Sequence, residues 1–203
     1  MSYSHWKVVL DRVVAAGLLL LLSPVLLAVA AAILLVDGRP VFFTQQRAGK
    51  HGQPFRIYKF RTLGLGPKDP LRPGAHCTRT GAFLRRWALD ELPQLWNIVM
   101  GEMSVVGPRP TLLDQVRRYN AFERQRLHVR PGLTGWAQVN GRNALSWPER
   151  IELDVWYVKH RSFGLDLGIM WRTPFVLMQG KGVYGPMGRN DTIPRSPAPD
   201  SLS

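Results

Sequence analysis

Cysteine, acidic side chains and metal-ligand spacings are all scarce in this chain, and each scarcity removes a class of function. Among 203 residues there is one cysteine, Cys77. No intrachain disulfide can form, and a reducing compartment suits the chain. The five histidines (His5, His51, His76, His128 and His160) fall at no ligand spacing, and there is no Cys-x-x-Cys; a transition-metal centre is not expected. Aspartate and glutamate total 14 against 27 lysines and arginines, a net charge of +13. That balance favours anionic partners: phosphates, nucleic acid or an anionic bilayer face. The basic residues are spread along the chain and no nucleic-acid-reading motif accompanies them, so nucleic acid is not the expected partner. No internal repeat is present.

Charge is also missing locally. Val13–Val36 is one apolar run without a charged residue, and Ser23-Pro24 divides it. A run of that length reads as a membrane segment. Pro24 lacks an N–H and crowds the carbonyl one turn back. Each half, Val13–Leu22 and Val25–Val36, is roughly 15–18 Å long as a helix, about half of a ~30 Å hydrocarbon core. Two geometries fit: a kinked span, since membrane helices tolerate proline, and a re-entrant hairpin that bends at Ser23-Pro24. A signal peptide cleaved near Ala28-Val29-Ala30 fits less well, because the apolar run continues past that site. Lys7 and Arg12 precede the run; Arg39, Arg47, Lys50, Arg56, Lys59 and Arg61 follow it. Basic residues mark cytoplasmic flanks, and here both flanks are basic. The expectation is therefore a re-entrant hairpin over 1–38 with both ends on the cytoplasmic face.

The remainder is long enough for a core of its own. Val41–Arg47 and Phe55–Arg61 flank a Gly/Pro turn and predict a β-hairpin. A surface loop over 63–76, helices over 80–89 and 90–100, and a basic helical stretch over 111–129 follow. An irregular Gly-rich segment covers 130–143, and an amphipathic helix covers 146–159, with Ile151, Val155 and Val158 on one face. Leu165–Met178, interrupted by Arg172 and Pro174, is too short to span; an interfacial helix and an ordinary core helix both fit. The fold class is α+β and mostly helical, with a cytoplasmic-face domain over 39–186 and a disordered tail over 187–203.

Three segments carry candidate chemistry. Leu89-Asp90-Glu91-Leu92-Pro93-Gln94 reads first as a helix N-cap; vicinal carboxylates that hold Mg²⁺ and offer a nucleophile are a second reading, compatible with the cap. Lys59-Phe60-Arg61 and Gly107-Pro108-Arg109-Pro110 present cations, Arg109 from a rigid turn. Arg130-Pro131-Gly132-Leu133-Thr134-Gly135-Trp136 joins an arginine to backbone-exposing glycines. Fixed arginines suit bidentate phosphate binding, and glycines let backbone N–H groups approach an anion.

Taken together and in order, these segments, with Ser23-Pro24, Tyr58-Lys59-Phe60-Arg61-Thr62 and Asp154-Val155-Trp156-Tyr157-Val158, resemble the bacterial monotopic phosphoglycosyltransferases, also called bacterial sugar transferases. The resemblance covers about residues 5–184. Longer members carry extra N-terminal membrane helices; this chain resembles the small form. The departure is Leu63, where many members have Met. The resemblance implies an enzyme at the cytoplasmic face of the bacterial inner membrane, held monotopically among its phospholipids. It would move a sugar-1-phosphate from a UDP-sugar to polyprenyl (undecaprenyl) phosphate, releasing UMP. It also implies Asp90 as nucleophile and Mg²⁺ ligand and Glu91 as its assistant. Lys59, Arg85, Arg109 and Arg130 match basic positions near the phosphates, and Asp166 matches a further acidic position. A non-catalytic, membrane-tethered basic module is the rival reading.

Overall fold

The computed structural model of the chain describes residues 3–64 and 77–179. The expected tail over 187–203, and 65–76 of the expected surface loop, lie outside the described residues.

Helix α1 (Tyr3–Val36) takes up the whole apolar run in 34 residues and continues through Pro24. The Leu20 carbonyl is the one that loses its partner, because residue 24 has no N–H to give. The Ser23 hydroxyl donates to that carbonyl at 2.8 Å. Ser-Pro thus keeps the ladder satisfied where proline alone would open it. By length and composition α1 can cross a membrane, and most of its apolar surface is uncovered. Leu20, Leu21, Leu27 and Leu35 are all largely exposed.

Both halves of α1 nevertheless rest on the same body. Ala15 is buried against Phe55, Ile57, Leu95, Ile98 and Met103. Ile33 is buried against Phe60 and Leu84. The ends are tied down as well. Lys7 pairs with Asp166 at 2.6 Å, and Ser104 donates to Asp11 at 2.5 Å. At the other end Arg61 donates to the carbonyls of Asp37 and Gly38 at 2.6 and 2.7 Å.

Strands β1 (Phe42–Ala48) and β2 (Pro54–Phe60) form the expected antiparallel hairpin, in register from Phe42↔Phe60 to Ala48↔Pro54. Helix α2 (Arg79–Arg86) starts where the Thr78 hydroxyl accepts from the Gly81 amide. The expected helix over 90–100 is two elements. Leu89–Gln94 is a 3-10 turn, and only Leu95–Val99 is α-helix, α3. Asp90 caps nothing: the capping position is Ala88, whose side chain has nothing to offer.

Strand β3 (Ser104–Val106) leads to α4 (Leu113–Arg117), α5 (Ala121–Arg124) and a 3-10 turn over Gln125–His128. These replace the single basic helix expected over 111–129. Asn120 splits it, its side chain accepting from the Glu123 amide while Glu123 accepts from the Asn120 amide; a reciprocal cap starts a new helix. Strand β4 (Gly132–Thr134) pairs parallel to β3, Ser104↔Gly132 and Val106↔Thr134. A Cβ on Gly132 would meet the Gly107 backbone, so glycine is required for this close approach. After α6 (Trp136–Val139) come α7 (Trp147–His160) and α8 (Phe163–Met178). Within α7, Ile151 and Val155 are buried as the periodicity predicted.

Candidate active site

Four elements converge on the Asp90-Glu91 pair. The turn that carries it is set by Ala88, held in the left-handed region at φ 54°. That conformation costs a non-glycine residue about 1–2 kcal/mol. The turn is fixed in height by Asn97 in the middle of α3, which is fully buried. Its side chain donates to the Arg56 carbonyl at 2.7 Å and accepts from the Tyr58 amide at 3.3 Å. Strand β2 is thereby locked to the helix that follows the pair, and Lys59, the next residue on β2, faces the carboxylates.

Glu91 is saturated. Lys59 Nζ lies 2.6 Å from its Oε1. Arg109 straddles it, with Nη2 at 2.5 Å from Oε1 and Nη1 at 3.1 Å from Oε2. This is the two-pronged geometry that a guanidinium provides and an ammonium does not. Burial pushes the Glu91 carboxyl up, but the charges of Arg109 and Lys59 outweigh it and hold the group well below the usual range.

Asp90 is the opposite. It is 9% exposed and, among the described residues, makes no hydrogen bond or ion pair. Burial raises its pKa first and the neighbouring Glu91 charge second, with Lys59, Arg85 and Arg109 pulling the other way. A buried carboxylate without a partner is costly unless something else occupies it. The two acids therefore have different tasks: Glu91 organises cations and Asp90 is left available.

Of the expected phosphate-binding residues, Lys59, Arg85 and Arg109 are brought together here. Arg85 donates from Nε to the Thr62 hydroxyl at 2.8 Å, and its charge acts on Asp90. Arg130 is placed elsewhere: its Nε donates to the Gly101 carbonyl at 2.7 Å, at the far end of α3. Asp166 is also apart. It is buried and accepts from Tyr157 at 2.7 Å and Tyr3 at 2.5 Å while pairing with Lys7. It clamps α8, α7 and α1 together. Ser23 and Pro24 act within α1, as described.

Three cations were not anticipated. Arg47 on β1 donates to Gln45 Oε1 at 2.7 Å; burial and the neighbouring Arg109 push it down to about 10. Arg142 also sits within the field of Arg109, Glu91 and Asp90. Arg126 is buried against Asp154 at 2.5 Å and donates to the Arg109 carbonyl at 2.9 Å, so it holds the arginine that holds Glu91. A lone arginine in sequence carries no sign of such long-range partners. Counting Lys59, Arg47, Arg85, Arg109 and Arg142, five cations face two carboxylates, one of which is already saturated. Among the described residues no three acidic, histidine or cysteine side chains cluster as a metal cage. The arrangement is suited to holding a polyanion against Asp90.

The bacterial sugar transferase family model matches residues 2–180. An uncharacterised sugar transferase of Bacillus subtilis, EpsL, is 45% identical over 180 residues, covering 87% of this chain and 89% of its own. The exopolysaccharide production protein ExoY of Rhizobium meliloti is 38% identical, with 86% of each chain covered. The UDP-glucose:undecaprenyl-phosphate glucose-1-phosphate transferase of Escherichia coli is also 38% identical, over 86% of this chain and 40% of that protein. The chain thus spans nearly all of the shorter relatives and less than half of the longer one.

Proposed function

Since this chain belongs to the bacterial sugar transferase family, we propose that it transfers a sugar-1-phosphate from a UDP-sugar to undecaprenyl phosphate, the first membrane step of a glycan assembly. The Escherichia coli relative's name supports the donor and acceptor classes. The observation that carries the reading is the division of labour in the acidic pair: Glu91 saturated by Lys59 and Arg109, Asp90 buried and unpartnered beside them.

In the proposed reaction an Asp90 carboxylate oxygen attacks the phosphorus that carries the sugar. The bond from that phosphorus to the bridging oxygen breaks, and UMP leaves with the oxygen and the electron pair. The product is a phosphosugar-aspartate. An oxygen of the lipid phosphate then attacks the same phosphorus, and the aspartyl carboxylate departs unchanged. Phosphoryl transfer demands positioning and charge neutralisation more than proton transfer. Lys59 and Arg109, fixed by Glu91, supply both. Arg109→Ala is expected to lower kcat/KM about 10²-fold or more, equivalent to about 2.7 kcal/mol. Arg109→Lys should recover only part, because a point charge does not reproduce the fork. Steady-state UMP release measures both.

The residues present fit Mg²⁺ in one way: Asp90 as the single protein carboxylate, with phosphate oxygens and water completing the shell. There it would neutralise charge on the diphosphate. The surrounding cations repel a free dication, so binding to Asp90 should require the anionic substrate. Calorimetry should find no sub-millimolar Mg²⁺ site in the substrate-free enzyme, while UMP release should stop in excess EDTA. Full turnover in EDTA, after stripping of bound metal, would remove the metal from the reading.

The lipid phosphate lies at head-group level, so the site must too. On α8, Phe163, Leu167, Trp171, Phe175 and Met178 form an exposed apolar stripe. Spacing of three to four residues puts them on one face, as in an interfacial helix. Phe83 on α2 and Trp87 just after it, with Trp96 on α3 and Met100 just after that, are exposed on either side of the Asp90 turn. Helix α1, whose two ends are tied to one body, then enters and leaves by the cytoplasmic leaflet of the inner membrane. With Cys77 replaced by Ser, cysteines introduced at His5 and Arg39 should label from the same side; labelling from opposite sides would show a span.

The deciding experiment is UMP release from a panel of UDP-sugars, with the protein in nanodiscs containing undecaprenyl phosphate. One donor should give turnover. Silence across the panel, with folded protein, would return the chain to the class of basic membrane-bound modules.

A further inference from the structure

Helix α1 is seated on the body by apolar contacts, at Ala15 and again at Ile33. Its first turns add a buried polar cluster that apolar seating does not need. Lys7 Nζ lies 2.6 Å from Asp166 Oδ2 and 3.3 Å from Asp11 Oδ2. Tyr3 donates to Asp166 Oδ2 at 2.5 Å. Asp11 and Asp166 are both buried, as are Ser104 and Tyr157 beside them. A buried ionic group is often no more stabilising than apolar side chains packed in its place. What it fixes is geometry, because a buried polar group that moves loses its partners.

The cluster grips both ends of β3. Ser104 opens the strand, and its hydroxyl lies 2.5 Å from Asp11 Oδ2 and 2.9 Å from the Val106 carbonyl. Val106 closes the strand, and its carbonyl also lies 3.1 Å from the Tyr157 hydroxyl, which is 2.7 Å from Asp166 Oδ1. Each hydroxyl has one proton for two acceptors. When Ser104 donates to Asp11, Tyr157 is free to serve Val106, because Asp166 keeps Lys7 and Tyr3. Either assignment joins the α1 cluster to the strand. A three-residue strand paired with β4 alone does not fix its own position. Gly107-Pro108-Arg109-Pro110 follows at once, and Pro108 and Pro110 have fixed φ. A shift of β3 therefore reaches Arg109, whose guanidinium straddles Glu91.

We propose that Ser104 and Tyr157 are positioning residues: they pin β3 to the first turns of α1 and, through the proline-flanked turn that follows, set Arg109 on Glu91. The inference rests on the reading of Asp90-Glu91 and Arg109 as a phosphotransfer centre. It gives α1 a part in catalysis beyond anchoring, since the seating of its first turns is transmitted to the arginine that holds the acidic pair.

The test is a double-mutant cycle on the full chain in nanodiscs containing undecaprenyl phosphate. Ser104→Ala and Tyr157→Phe, each of which removes one oxygen, are made in wild type and in Arg109→Ala, and UMP release is measured. Each change is expected to lower kcat/KM about tenfold in wild type and less than about twofold in Arg109→Ala, because the effect runs through Arg109. A role in stability alone predicts the same factor in both backgrounds, and that result, or unchanged kcat/KM in wild type, would overturn the inference. Should Tyr157→Phe fail to fold, Ser104→Ala carries the cycle by itself. Amide hydrogen exchange of the peptide over 104–111 is followed in parallel and should be faster in both single variants than in wild type; unchanged exchange there would also overturn the inference. If wild type releases no UMP from any UDP-sugar, the phosphotransfer reading fails, and the exchange measurement alone decides whether the two hydroxyls hold the Arg109 turn. If UMP is released and the two backgrounds respond equally, the reading stands and the positioning role fails.

Discussion

Asp90→Asn is expected to abolish turnover, with kcat falling by about 10⁴-fold or more, which corresponds to about 5.5 kcal/mol. It should also abolish covalent loading. Incubated with its UDP-sugar and no acceptor, the wild-type protein should gain the mass of one sugar-phosphate, on the peptide that contains Asp90. The asparagine variant should gain nothing, because a neutral amide is a poor nucleophile and a poor ligand for a hard cation. The same change should leave folding intact. Asp90 makes no hydrogen bond or ion pair among the described residues, and burial already disfavours its charge. Its melting temperature should therefore be unchanged or slightly raised, which separates lost chemistry from lost structure. Glu91→Gln provides the contrast. It keeps the shape but removes the charge that holds Lys59 and Arg109, so turnover should fall while some adduct still forms. Intersecting initial-rate lines, no adduct and acceptor-dependent UMP release would together favour direct attack by the lipid phosphate in a ternary complex, with Asp90 left as a metal ligand.

The asymmetry between Asp90 and Glu91 was not legible in the sequence. On the residues alone, adjacent acids before Leu92-Pro93 read first as a helix cap and only second as a metal and nucleophile pair. Only the geometry separates them, because the partners of Glu91 lie 32 and 18 residues away. Elements with strong local signals were legible. The hairpin appears within a residue of its expected strands, and α7 buries Ile151 and Val155 as its periodicity required. The three-residue strands β3 and β4 were not, since they are too short to show alternation and their pairing depends on Gly132 approaching Gly107. The basic stretch over 111–129 misled for a related reason. Its apolar and charged residues fit one helix, but the Asn120–Glu123 cap is a stronger local signal than their periodicity. Arg130 was legible as a cation in a glycine-rich segment, but its bond from Nε to the Gly101 carbonyl, 29 residues away, was not.

Arg126 and Asp154 give the largest expected effect on stability. Both are almost completely buried, with side chains 2% and 1% exposed, and Asp154 Oδ2 accepts from Arg126 at 2.5 Å from Nη2 and 3.1 Å from Nε. Asp154→Ala would leave a buried guanidinium short of its counter-charge, and is expected to destabilise the protein by about 3–5 kcal/mol. Arg126→Met alone should cost a similar amount by stranding the carboxylate. The double variant Arg126→Met/Asp154→Leu removes both charges together and should recover most of the stability, since a buried ion pair is often no better than well-packed apolar side chains. Recovery of stability should not restore activity. Arg126 also donates to the Arg109 carbonyl and to the Tyr119 hydroxyl, and no methionine can do either. The loop that presents Arg109 to Glu91 would lose its anchor, so kcat/KM should stay depressed by about tenfold or more while the melting temperature returns. A double variant that regains both would mean that the Gly107-Pro108-Arg109-Pro110 turn is rigid enough to position Arg109 unaided. In that case the buried pair would serve the fold alone.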